Sequence, residues 1–122
     1  MKKALVIVGH GSREKGFQAA MDRVAREVKA RGEFAIVLCA YLKAMRPALA
    51  EAIESCAAKG AAEVRVLPYF LSTGRHVTAD IPRLVAEARE RHRGKLKIRL
   101  CPYLGFHQRI VSVVLERARR AK

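Results

Sequence analysis

Short apolar runs alternate with longer segments in which apolar residues recur every three or four positions, and the alternation occurs four times along the chain. Ala4 to Val8 is a continuous apolar run, the pattern of a strand covered on both faces. From Arg13 to Arg31, Phe17, Ala20, Met21, Val24 and Val28 share one helical face. A second strand is predicted at Phe34 to Tyr41, followed by a helix from Pro47 to Lys59 with Leu49, Ala52, Ile53 and Cys56 inward. A third strand at Val64 to Phe70 precedes a helix from Asp80 to His92 carrying Ile81, Leu84, Val85 and Ala88 on its inner face. Leu96 to Leu100 alternates strictly, as suits a strand with one face toward water, and a last helix is predicted over about Phe106 to Arg120. Gly32, Gly60 and Gly94 stand where the first three helices should end.

The order βαβαβαβα implies an α/β fold: a four-stranded parallel sheet with right-handed crossovers and helices on both faces, in the flavodoxin-like arrangement. No linker interrupts the pattern, so residues 1–122 are read as a single domain. In that arrangement the first and third strands are central neighbours, and strand order reverses between them. A crevice opens at their carboxyl ends, and the loops leaving them should carry the function.

Those loops read Gly9-His10-Gly11-Ser12 and Ser72-Thr73-Gly74-Arg75-His76. Each holds a histidine beside glycine, so His10 and His76 are predicted to converge on one crevice. Neutral imidazole binds first-row transition metals and accepts protons. Gly9 and Gly11 are expected to let the backbone approach a ligand closely. Ser12 reads as the N-cap of the first helix and Asp80 as the start of the third, each ahead of a catalytic role. His92 falls in a charged helix end and is expected to be solvated, while His107, at the fourth strand-to-helix turn, could border the crevice.

Charge adds a constraint on partners. Twenty-five basic against 11 acidic residues give a net charge of +14, a field that attracts nucleic acid, anionic membrane or a small polycarboxylate. No RNA-binding aromatic motif is visible and the basic residues are dispersed, so nucleic acid is not the expected partner. The three cysteines, Cys39, Cys56 and Cys101, are far apart and form no metal-knuckle spacing; they are read as reduced thiols of a cytoplasmic protein. The basic Met1-Lys2-Lys3 start leads into an apolar run too short for a signal peptide, and no run approaches the ~20 residues of a membrane span.

Taken in order, Val6-Ile7-Val8-Gly9-His10-Gly11-Ser12-Arg13, Leu67-Pro68-Tyr69-Phe70-Leu71, Gly74-Arg75-His76-Val77, Asp80-Ile81-Pro82 and Pro102-Tyr103-Leu104-Gly105-Phe106-His107 resemble the CbiX-type sirohydrochlorin chelatases over nearly the whole chain. The resemblance implies a lyase that inserts a divalent metal into a polycarboxylate tetrapyrrole in cobalamin or siroheme biosynthesis, with no organic cofactor. Cobalt is favoured; iron and nickel are alternatives. It selects His10 and His76 as the catalytic and metal-handling pair, and short members pair as homodimers to complete the tetrapyrrole cleft. Arg75 and Arg13 are the candidate contacts to the ring's carboxylates. One segment departs: Lys43 stands where the family usually carries Glu, and Arg46 where another acid is common. Two other readings remain open at this point. A histidine-dependent phosphoryl-transfer enzyme is one, although Gly9 occupies the place of the arginine in an Arg-His-Gly motif. A non-catalytic metal or polyanion binder is the other.

Overall fold

The computed structural model describes residues 1–122. Its elements are β1 (Lys3–Gly9), α1 (Ala19–Ala30), β2 (Ile36–Tyr41), α2 (Leu49–Ala58), β3 (Glu63–Pro68), a π-helical turn (His76–Asp80) running into α3 (Ile81–Arg91), β4 (Lys97–Leu100) and α4 (Gln108–Arg119). All pairings are parallel, in the order β2-β1-β3-β4. The flavodoxin-like sheet expected from the alternation is therefore present, with β1 and β3 adjacent at its centre.

Both apolar faces of β1 are used, which explains its unbroken hydrophobic run. Ala4, Val6 and Val8 join a core of 16 buried residues with Leu49, Ala52, Ile53 and Cys56 of α2 and Ile81, Val85 and Ala88 of α3. Leu5 and Ile7 point the other way, into a cluster of only five buried residues under α1. The second face is thus covered by one helix where the first has two. The helix that should share it, α4, has no buried residue; Val111, Val113, Val114 and Leu115 are 40–59% exposed.

Three local expectations need correction. First, α1 starts at Ala19, not Arg13: Gly16 at φ +84° breaks the helical run, and Phe17 is left exposed ahead of the helix. Second, Ser12 does not cap α1; its hydroxyl oxygen accepts the Glu14 N–H at 3.0 Å and closes a tight turn in the loop. Third, His92 is buried, 3.5 Å from the Glu54 carboxylate, and ties the end of α3 to α2. The three helix-ending glycines do adopt left-handed φ, from +77° to +90°.

Candidate metal-handling site

Strand register builds the site. Gly9 pairs with Tyr41 and Val8 with Pro68, so the loops after β1, β2 and β3 leave the sheet side by side at its carboxyl edge. The second loop is then fastened to the first: Leu42 N–H donates to the Gly9 carbonyl and Lys43 N–H to the His10 carbonyl, each at 3.0 Å. Gly11 is the position that permits this approach. Its φ is +95°, and a Cβ there would overlap the Lys43 carbonyl oxygen and reach 3.2 Å from Tyr41 Cβ. The glycine thus makes room for the neighbouring loop.

On the other side, Tyr69 N–H donates to the Val8 carbonyl at 2.8 Å, and Gly105 N–H to the Phe70 carbonyl at 3.2 Å. At Gly74 the chain reverses, with its carbonyl accepting from Thr78 N–H at 2.9 Å and from the Thr78 hydroxyl at 3.0 Å. That turn delivers His76 back over the cleft. The His10 and His76 ring centroids lie 4.5 Å apart at an interplanar angle of 45°, and Phe70 stacks on His76 at 6.0 Å. Two imidazoles far apart in sequence therefore touch, as the topology required.

The surroundings of the pair are unequal. Burial, then the Lys43 ammonium and then His76 hold the His10 ring below its ordinary pKa, keeping it in the form that binds a cation or accepts a proton. His76 has a carboxylate instead: Asp80 Oδ2 lies 3.0 Å from its Nδ1. Sequence reasoning assigned Asp80 to the helix start, yet the side chain makes no cap bond to α3. The i,i+4 spacing of His76 and Asp80 was the signal that could have found the pair.

Arg13 joins His10, Gly11, Ser12, Phe17, Lys43 and Ala44 around an open cleft of about 640 Å³. Arg75 is exposed and immediately precedes His76. Arg46 points elsewhere, paired with Glu51 in the first turn of α2. His107 turns its Nδ1 to the Arg109 N–H at 3.0 Å, capping α4. No third His, Cys, Asp or Glu gathers with the histidine pair into a closed ligand set. Two imidazoles alone make an open site, suited to passing an ion onward.

A CbiX family model matches residues 4–121. The chain belongs to the CbiX family. It is 31% identical over 117 residues to the sirohydrochlorin cobaltochelatase of Sulfolobus acidocaldarius, covering 96% of this chain and 90% of that one. It is 33% identical over 113 residues to the chloroplastic sirohydrochlorin ferrochelatase of Arabidopsis thaliana, covering 93% of this chain and 50% of the plant protein. The fold superposes on the sirohydrochlorin chelatase SirB from Bacillus subtilis subspecies spizizenii, solved in complex with cobalt, with a TM-score of 0.89 at 29% identity; 98% of this chain and 51% of SirB are covered. Against the methanogen and plant relatives the chain spans 50% to 63% of their length. No helix of this CbiX-family protein is long and apolar enough to cross a membrane.

Proposed function

We propose that this chain inserts a divalent metal into a polycarboxylate tetrapyrrole of the sirohydrochlorin class, serving cobalamin or siroheme formation, as a homodimer of one domain spanning residues 1–122 in the cytoplasm. The observation that carries the reading is the His10–His76 contact at the carboxyl edge of β1 and β3. Insertion requires an ion to move from protein ligands to ring nitrogens while two pyrrole protons leave. A ring held neutral, as His10 is, can serve either task. Arg13, Arg75 and the general positive field hold the peripheral carboxylates. Cobalt is the favoured metal, with iron and nickel as alternatives. Three unpaired thiols fit a reducing compartment.

The dimer is supported by α4. An amphipathic helix with no buried residue, beside a concavity of about 810 Å³ walled by Val24, Val28 and Phe34 of the thinly covered face, offers apolar surface for a second copy. A cleft formed by one edge of one small sheet supplies a single wall for a flat macrocycle, and a second copy supplies the other.

Anaerobic incubation with sirohydrochlorin and cobalt, iron or nickel, followed by absorbance spectroscopy, tests the reading. Metal-dependent spectral change that exceeds the uncatalysed rate and is lost in His10→Ala and His76→Ala supports it. Parent and variants indistinguishable from the protein-free control would overturn it.

A further inference from the structure

One carboxylate stands beside the histidine pair. Asp80 ends the π-helical turn that begins with His76, and that turn brings its Oδ2 to 3.0 Å from the ring's Nδ1. An ionised carboxylate can only accept a hydrogen bond, so Nδ1 must be the protonated nitrogen. Nε2 is then left with the free lone pair. Histidines that bind metals commonly have the second nitrogen held this way, which fixes both tautomer and ring orientation.

The alternative, that Asp80 merely starts α3, is weakened by its geometry. Its backbone is already helical at φ −66° and ψ −51°, and its side chain bonds none of the amides of α3. The Asp80 and His76 side chains are 35% and 41% exposed, so the contact lies at the cleft surface, outside the core. The opposite imidazole has Lys43 as its charged neighbour. Asp80 is therefore the carboxylate beside the histidine pair, while the charged residues lining the His10 cleft, Arg13 and Lys43, are cations.

Resting on the reading that His10 and His76 take the metal, we infer that Asp80 is a positioning residue that locks His76 in the Nδ1–H tautomer and presents Nε2 to the incoming ion. It touches neither metal nor tetrapyrrole; it acts through His76.

The test uses the full chain and cobalt ion alone, followed by visible d–d absorption, with the His76 tautomer read from imidazole nitrogen shifts by NMR in the metal-free protein. Asp80→Ala should weaken cobalt binding about 10- to 100-fold and convert His76 to a tautomer mixture. In turnover it should lower kcat and leave KM for the tetrapyrrole nearly unchanged. Asp80→Asn, whose amide oxygen can still accept, should lose less than Asp80→Ala, and it carries the test should the alanine variant fail to fold. A lowered melting temperature with parental cobalt affinity and parental tautomer would make Asp80 a purely structural residue and overturn the inference. His76→Ala separates the two levels. If it binds cobalt as tightly as the parent, the underlying metal assignment fails; if it loses binding while both Asp80 variants keep it, only the inference about Asp80 fails.

Discussion

Replacing Gly11 by Ala should disable the joint between the first two cleft loops, and the cost can be worked from the structure. The residue sits at φ +95°, where an L side chain costs ~1–2 kcal/mol. The added Cβ also overlaps the Lys43 carbonyl oxygen and comes within 3.1 Å of the carbonyl carbon, so a backbone segment must move, a class of overpacking that costs ~1–3 kcal/mol. Losing glycine's freedom in the unfolded chain returns ~0.4–1 kcal/mol. The net destabilisation is roughly 1–4.5 kcal/mol, centred on about 3, which for a domain of this size lowers Tm by about 10 °C at that centre.

Gly9→Ala is the matched control. Its Cβ would meet the Met21 sulfur at 2.7 Å, but that contact is the end of a flexible thioether side chain, and the Gly9 backbone is not left-handed. A loss of about 1 kcal/mol is expected there. Calorimetry of parent and both variants measures the difference. Amide exchange at Leu42 and Lys43, whose N–H groups bond the Gly9 and His10 carbonyls, should accelerate in Gly11→Ala alone. Equal melting losses in the two variants, or unchanged exchange at Leu42 and Lys43, would refute the reasoning.

Lys43→Glu should tighten cobalt binding and raise the insertion rate, because it replaces a cation beside His10 with an anion; a raised KM with an unchanged rate would instead make Lys43 a substrate anchor. In the metal-free parent the His10 midpoint by NMR should fall below 6.5, and Lys43→Glu should move it upward, since removing the ammonium removes one of the causes that depress it. Cys39 and Cys56 are each pushed up to about 11, mainly by burial, so at pH 8 their thiolate fraction is about 100-fold below that of an unperturbed thiol and they should resist alkylation accordingly; fast labelling of either would contradict the packing around it. Val114→Arg or Leu115→Arg removes nothing from the core, as both side chains are about half exposed, and should turn the proposed dimer into a monomer in sedimentation velocity.

Periodicity carried the fold well where an element has something to pack on. Leu49, Ala52, Ile53 and Cys56 are all buried as the spacing of α2 implied, because a core of two helices lies against that sheet face. For α4 the helix falls where it was expected, at Gln108–Arg119, but its apolar stripe stays uncovered. A hydrophobic period reports that a face needs covering and says nothing about what covers it. The start of α1 failed for a local reason: Phe17 continues the helical spacing, yet Gly16 at left-handed φ ends the run before it. At the site, topology alone predicted that His10 and His76 meet, since both follow central strands. Asp80 was missed because a carboxylate ahead of Pro82 satisfies the rule for helix starts, and that rule does not ask which neighbour the side chain faces. Lys43 stood out in the sequence only as a departure from the family's Glu; the structure sets it beside His10 through two backbone bonds that zip its loop to the first.

The bare flank of α4 also bears on order and concentration. An isolated helix of 12 residues is marginal in water, and α4 draws no support from a buried side chain of its own. Its amides should exchange with solvent faster than those of α2 in dilute solution, and slow at concentrations where the proposed dimer forms. The segment leading into α4 is also the one whose Gly105 amide bonds the Phe70 carbonyl, and Phe70 stacks on His76. In the proposed homodimer, protein concentration would set how well this helix is ordered and so reach one wall of the cleft through a single hydrogen bond and a ring.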